Sequence, residues 1–506
     1  MFAGLVCPQN LEHRLDAGYY DSKHLAIRDL LESLGAKRLR NLVSKIACGP
    51  FGGNAIADDL YQEDGLMFIR PINISSNRFD DSSLVKVPEN ILMENGLKVY
   101  QGENLYFGRV GVPCVALISG KTSISPNIII AETKNISADP YYLFSFSSSS
   151  YGLSQLKRQL KEVAQPTTST DAVKDLLVYE PHLTVQAYIG NKVRHAELLS
   201  QHAREVKLKL DSFFGEFEVE QEQEKIIYSN TSPELLTNIL TATTYKQKYI
   251  LNQENIKTLG KTKKILDYLN SISNGFDERT DVTDGLPYVK VADVRPNSID
   301  LFNCGRVRKS ALTDASKKQT PEKGDLLLTR KGSFGIAAVV MSNQEFLCSS
   351  EVFCCKPKRH DLMPILSWFL NHKAGQLQFW QFSTGTTMPG INQENLNNIF
   401  IPDFSDWDID GFNYHYNVYY NSFSNAEKLI LTSRFLVEAL IEGVITQDEI
   451  IEAQQALESD DNTKDKAILS KLTEKGYAIE DAKPLFSNLE ELYEILEEAQ
   501  QEKEQG

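Results

Sequence analysis

Between Thr184 and Phe214 apolar side chains return with a seven-residue period. Ile189, Ala196, Ala203 and Leu210 form one series, and Val185, Leu199, Val206 and Phe213 a second that only Lys192 interrupts. Two interleaved series of this kind predict a long helix whose seam needs a helical partner. A shorter, more polar seam runs from Phe412 to Ile441, with Ala426, Ser433 and Leu440 in one series and Leu429 and Leu436 in the other. The two helices are therefore expected to pair as a strut of ~45 Å, at about 1.5 Å per residue. Short β-type runs precede each helix: Met67 to Ile72, Val112 to Ile118 and Asn127 to Ile130 before the first, then Tyr288 to Val291, Asp325 to Leu328 and Ile336 to Val340 before the second. Helical patterns complete each half. Ser22 to Leu34, closed by Gly35, leads the first; Tyr141 to Phe146 and Leu153 to Leu160, helix or apolar wall, flank the serine-rich stretch 145–150, read as a helix or a helix joint and not a linker; Pro364 to Phe382 reads as a helix in the second. The expected class is mixed α/β (α+β) with short strands.

These halves share more than their order. Asp64-Gly65-Leu66-Met67-Phe68-Ile69-Arg70-Pro71-Ile72-Asn73-Ile74 returns 220 residues later as Asp284-Gly285-Leu286-Pro287-Tyr288-Val289-Lys290-Val291-Ala292-Asp293-Val294. Gly102-Glu103-Asn104-Leu105 answers Gly324-Asp325-Leu326-Leu327, Gly108-Arg109-Val110-Gly111 answers Arg330-Lys331-Gly332-Ser333, and Pro140-Tyr141-Tyr142-Leu143 answers Pro364-Ile365-Leu366-Ser367. A period this long is that of a domain and not of a solenoid repeat. Two related domains in one chain suit a protein that grips two related things.

Composition is that of a soluble globular chain with room for two or three domains. The net charge of -15 argues against a nucleic-acid partner until it is located: residues 446–506 hold 17 acidic residues against 6 lysines, which leaves -4 for residues 1–445. Basic clusters lie in that near-neutral body, at Lys37, Arg38 and Arg40; Lys261, Lys263 and Lys264; Arg306, Arg308 and Lys309; and Lys356, Lys358 and Arg359. Each reads alone as a solvated face, but their recurrence suits a surface that follows phosphates. The tail 446–506 is expected to form an acidic helical extension, because Thr446-Gln447-Asp448-Glu449 and Ser487-Asn488-Leu489-Glu490 both have the capping-box pattern. Seven cysteines without a C-x-x-C pair support buried thiols over a disulfide framework or zinc site. The first residues lack a signal-peptide pattern and no stretch reaches the ~20 apolar residues of a membrane span, so a cytoplasmic protein is expected.

Searches for catalytic chemistry fail one by one. Gly120-Lys121-Thr122 resembles the end of a phosphate-binding loop, but Val115 stands where that loop needs glycine. Asp139-Pro140-Tyr141-Tyr142 resembles an amino-methylating tetrapeptide with tyrosine in place of its second proline, and no glycine-rich nucleotide loop accompanies it. His195 and His202, seven apart, fit a helix flank better than a metal site. No catalytic residue and no metal ligand is assigned. What recurs is binding chemistry: glycine-rich loops with amide, hydroxyl and guanidinium groups at 51–54, 108–111, 330–335 and 383–390. Arginine can pair with guanine and asparagine with adenine.

In order and repetition these residues resemble the specificity subunit of type I restriction-modification enzymes. The resemblance is carried by Arg14-Leu15-Asp16-Ala17-Gly18-Tyr19-Tyr20, Gly49-Pro50-Phe51-Gly52-Gly53-Asn54, the repeated segments at Gly65 and Gly285, Gly324 to Arg330, and Gly385-Thr386-Thr387 leading to Ile399-Phe400-Ile401-Pro402, over residues 10–445. It implies two target recognition domains, 1–182 and 216–408, held apart by conserved spacer helices, 183–215 and 409–445, with 446–506 outside the common core. It implies double-stranded DNA as ligand, one half of a bipartite target per domain, with an unread spacer of roughly five to nine base pairs set by the strut. Catalysis would belong to modification subunits using S-adenosylmethionine and to a restriction subunit using ATP and Mg, leaving no cofactor in this chain. The residues expected to meet DNA are Phe51, Asn54, Arg70, Asn73 and Arg109 in the first copy and Lys290, Arg295, Arg330, Lys331, Ser333, Thr386 and Thr387 in the second. The helix pair is expected to join through Ile189, Ala196, Leu199, Ala203, Val206, Leu210 and Phe213 on one side and Leu429, Leu436 and Leu440 on the other. The first copy has Gln165-Pro166-Thr167-Thr168 where the second has Gly385-Thr386-Thr387, which leaves its contact loop open. An autonomous methyltransferase or nuclease, and an acidic protein-binding scaffold, are the alternative classes.

Overall fold

The computed structural model describes residues 17–50, 56, 60–62, 64–75, 77–81, 83–133, 138–160, 166–215, 233, 236–385 and 388–505. The chain divides into two compact units, residues 1–200 with 424–506, and residues 201–423. The division falls inside two long helices, Leu183–Ser212 and Ile409–Ile441, so each unit owns part of both.

In the first unit an antiparallel sheet runs in the order Lys45–Cys48, Ile128–Glu132, Asn104–Gly108, Val115–Ile118. A second sheet runs Val85–Val87, Leu66–Ile69, Lys121–Ile124, Tyr100–Gln101, with its middle pair parallel. The second unit repeats the first order in full and the second without its last strand. Leu269–Asn274, Val352–Pro357, Leu326–Thr329 and Ala337–Val339 form the antiparallel sheet, while Gly305–Val307, Leu286–Val289 and Leu347–Cys348 form the other, its last pair parallel. Strands such as Asn104–Gly108 and Leu326–Thr329 are buried at every residue, which is why they read as apolar runs without alternation.

Finer details recur at nearly constant offset. A side chain on Gly65 would strike the Val87 carbonyl at 2.6 Å, and one on Gly285 the Val307 carbonyl at 2.1 Å. Both glycines let two strands close. The strand expected over Met67 to Ile72 ends at Ile69, because the Asn73 Oδ1 accepts the Arg70 N–H at 3.0 Å and turns the chain into a single 3₁₀ turn. Asp293 does the same for Lys290 at 2.8 Å. A tight hairpin follows in each, with Asn77 at φ 55 and Asn297 at φ 60, the left-handed region that asparagine tolerates.

Of the two readings of the serine-rich stretch, a helix or a helix joint, the structure has the joint, and its counterpart corrects the expectation of one helix over Pro364 to Phe382. Helix Pro140–Ser148 breaks at Ser149 before Ser150–Arg158; Met363–Asn371 breaks at His372 before Lys373–Gln381. Three residues past each break sits a glycine, Gly152 or Gly375, where a Cβ would lie 2.5 or 2.4 Å from a carbonyl oxygen of the preceding helix. The break brings two helix axes within backbone contact. The strand expected from Val112 starts only at Val115, and Val112 is an exposed loop residue.

The seam positions are interior. In the first unit Ile189, Ala196 and Leu199 share one core with Ala426, Leu429, Leu436 and Leu440. In the second, Val206 and Leu210 share a core with Phe412 and Tyr416; Ala203 is buried, and Phe213 meets Phe412 edge-on at 5.2 Å. With the His202 Nδ1 3.1 Å from the Ser422 Oγ, the two helices run antiparallel within that unit. Lys192, expected as an interruption, is 2% exposed and paired with the equally buried Asp465 at 2.5 Å. The tail is thus part of a core. Ile450, Ile468, Leu472, Phe486, Leu492 and Ile495 lie in the first unit's core, and a hairpin, Leu472–Thr473 with Gly476–Tyr477, interrupts its helices. The Thr446 capping box forms as expected; at the last helix the Asn488 Oδ1, not Ser487, accepts from Glu490 and Glu491. Cys304, Cys348, Cys354 and Cys355 are buried free thiols, and burial pushes all four up.

Candidate nucleic-acid interface

After the strand Leu269–Asn274 the second unit's chain leaves its sheet through Gly275 and Phe276, whose N–H groups reach the Val352 and Cys348 carbonyls at 2.8 Å each. The Tyr288 hydroxyl donates to the Phe276 carbonyl at 2.8 Å and accepts from the Glu278 N–H at 3.2 Å. Glu278 then organises the loop. Its Oε1 accepts from the Arg279 N–H at 2.9 Å and from the Thr280 N–H and hydroxyl at 3.0 Å each, while its Oε2 takes the Arg308 Nε at 2.8 Å. The Thr280 N–H foremost, with the Arg308 guanidinium among the other donors, holds the carboxyl down to about 2. The loop closes where the Val282 N–H meets the Arg306 carbonyl at 3.1 Å.

This loop lines an open cleft of about 570 Å³, together with Lys290, Arg306, the segment Ser349, Ser350 and Glu351, and their strand neighbours. Charges elsewhere on the basic clusters are largely spent. Lys37 pairs with Glu180, Arg38 and Arg40 with Asp175, Lys263 with Asp403, Lys356 with Asp325, Arg359 with Asp361, and Arg308 with Glu278 and Asp314. Lys264 lies over the Phe400 ring, and burial pushes its ammonium down. In the cleft, by contrast, the side chains of Lys290, Arg306 and Asp281 have no ion pair among the described residues, and the Arg279 side chain is 88% exposed with only Asp277 near it at 3.3 Å.

The sequence-predicted residues scatter into distinct roles. Phe51, Asn54, Thr386 and Thr387 lie outside the described residues. Asn73 must be corrected: it is fully buried, its amide donating to the Asp80 carbonyl and accepting from Arg70, so the turn consumes it. Arg70 donates to the Ser83 carbonyl at 2.6 Å and lies over Tyr61; Arg295 pairs with Asp300 at 2.9 Å. Arg330 is turned under the cleft floor, where its Nη1 donates to the Ser350 carbonyl at 3.1 Å above the Phe353 ring. Lys331 and Ser333 are exposed, and Lys331 lies 3.8 Å from Glu351. Lys290, Arg330 and Lys331 are therefore brought to one neighbourhood, and Arg295 is not part of that cleft.

Arg109 and Arg330 are placed alike by backbone: the Arg109 carbonyl accepts from Thr168 at 2.7 Å, the Arg330 carbonyl from Ile391 at 2.8 Å. That corrects the alignment of the contact loops, since Thr167 and Thr168 answer Gly390 and Ile391 and not Gly385 to Thr387. The residues missed by sequence reasoning are Arg279, Thr280 and Asp281. Their only signal was position, just ahead of the repeated Gly285 segment; at the 220-residue offset their counterparts are Asp59, which lies outside the described residues, Leu60 and Tyr61. The first unit does place Arg70 and Lys86 where the second has Lys290 and Arg306, on strands of matching register.

A family model described as the Type I restriction modification DNA specificity domain matches residues 272–402, a span that contains the cleft. No curated protein matches. Among solved structures, the S subunit of a type I restriction-modification system from M. genitalium is similar at 10% identity and a TM-score of 0.39, over 81% of this chain and 96% of that one. The HsdS subunit from Thermoanaerobacter tengcongensis is similar at 12% identity and a TM-score of 0.26, over 81% and 96%. A chain from a structure concerned with complex assembly and conformational transition of the type I R-M system has 14% identity and a TM-score of 0.26, over 81% and 97%. Among the described residues no helix is long and apolar enough to cross a membrane.

Proposed function

We propose that this chain, which carries a type I restriction modification DNA specificity domain at residues 272–402, is the DNA-reading subunit of a type I restriction-modification complex. Its two units act as duplicated recognition domains, each taking one half of a bipartite duplex target. The paired long helices join them. The observation that carries this reading is the cleft of Lys290, Arg306 and Asp281, which have no ion pair among the described residues, inside the matched segment. Support for duplication comes from the shared strand orders, the Gly65 and Gly285 contacts and the matched helix breaks. The chain itself is not the catalyst and holds no cofactor. Methyl transfer from S-adenosylmethionine to adenine belongs to modification subunits, and ATP- and Mg-dependent cleavage to a restriction subunit, all in the cytoplasm.

The test is expression of the chain with its modification subunits in a host free of other methyltransferases, followed by mapping of methylated adenines. A two-part sequence methylated only when this chain is present is expected. Binding of no duplex at any salt concentration, with those subunits present, would favour a protein-binding scaffold instead; methylation by the purified chain alone would make it an autonomous enzyme.

A further inference from the structure

We infer that the second unit's cleft reads base edges and does not merely follow phosphates, with Asp281, Arg306 and Lys290 as its specificity-determining groups and Glu278 as the residue that positions them. The inference rests on the proposed DNA-reading role and assigns its chemistry. A groove that tracks phosphates needs cations, and a carboxylate left unpaired in it would repel the backbone. The major-groove edges of bases present both acceptors and donors: arginine and lysine suit the guanine O6 and N7, a carboxylate suits the cytosine amino group, and a hydroxyl suits either. The cleft offers that mixture: Asp281, without an ion pair among the described residues, and the exposed Thr280 line it together with Lys290 and Arg306.

Presenting such groups demands a loop that does not collapse onto its own charges. Glu278 supplies the order by binding two consecutive backbone N–H groups, and Arg308, itself held by Asp314 at 2.9 Å, neutralises it. The Arg279–Asp281 segment is thereby ordered along the cleft. Arg330 completes the frame from beneath by fixing the Ser350 carbonyl on the floor.

The experiment uses the full chain assembled with its modification subunits and a duplex library with both half-sites randomised, read by methylation-sensitive sequencing. Asp281→Asn at an exposed position and Arg306→Gln at a half-buried one should each change the preferred base at one or two positions of one half-site by about ten-fold or more, while the other half-site keeps its preference. Glu278→Ala should relax those same positions; Glu278→Gln, which retains the Oε1 acceptor, should restore most of the preference. A purely structural role for Glu278 would lower the melting temperature without moving base preference, and would overturn its positioning role. Equal loss over all sequences with a shallower salt dependence in Asp281→Asn and Arg306→Gln would make the cleft a phosphate track, and unchanged preference would place reading elsewhere; either overturns the inference while the DNA-reading role stands. A wild-type complex that methylates no two-part sequence would sink both.

Discussion

The first long helix meets its surroundings in two different ways. In the first unit it buries a charge: Lys192 and Asp465 are 2% and 4% exposed, and the hydroxyls of Tyr188 and Tyr493 also donate to that carboxylate. Burial opposes the charge on Asp465, but the Lys192 ammonium and both phenols hold its carboxyl below the usual range. In the second unit the helix ends in rings. Phe214 packs on Phe369, Trp407 and Phe412, and the Trp368 Nε1 donates at 2.8 Å to Asp211, a carboxylate still one-third exposed. A sealed ion pair makes its two partners mutually indispensable, whereas an aromatic cluster with a wet polar rim can lose one contact and still be solvated. The tail is therefore wired into the first unit's core.

Removing Asp465 is the severest test of that contrast. Asp465→Ala leaves the buried Lys192 uncompensated and should cost ~3–5 kcal/mol, seen as a large fall in the first unit's unfolding midpoint; Lys192→Met with Asp465→Leu should recover most of it. A loss below ~1 kcal/mol would mean that water reaches the pair. The matched helix breaks come next. Gly152→Ala and Gly375→Ala each force a methyl against backbone carbonyls and should each cost ~1–3 kcal/mol; a large cost in one unit only would end the equivalence of the two breaks. At the wet rim Trp368→Phe should cost about 1–2 kcal/mol, because Asp211 keeps its access to water.

Acidity sharpens the comparison further. Burial, with the Lys192 charge next, pushes His195 down to about 4 from an ordinary 6.5. The folded form thus resists protonation, so His195's contribution is complete above pH 6.5 and is lost as the pH falls toward 4. The first unit's melting temperature should decline over that window, and His195→Gln should flatten the decline. The smallest effect is expected at Ser333→Ala, whose exposed hydroxyl should change stability by less than ~0.5 kcal/mol; Arg330→Gln, which loosens the Ser350 carbonyl, should weaken methylation at the second unit's half-site more than Ser333→Ala does.

Much of the organisation was legible in the residues. The 220-residue recurrence, the apolar seams and the Thr446 capping box need only local periodicity and local hydrogen bonds, and the observed helices and hairpins follow them. The candidate site was legible in part: Lys290 stood out because its segment repeats, and Arg306 because it sits in a basic run. Asn73 misled because an asparagine that caps its own turn and one that meets adenine look identical until burial is known. For Arg330, only the fold shows the partner of its guanidinium, a carbonyl twenty residues away.

Periodicity, repetition and charge count belong to the sequence by itself, because each depends on neighbours along the chain. Which cations are spent and which are left, whether an acidic tail floats or seals a buried lysine, and which loop faces a cleft depend on groups brought together from distant segments. Lys192 and Asp465 lie 273 residues apart, and only the packed fold could make an interruption in a seam into its anchor.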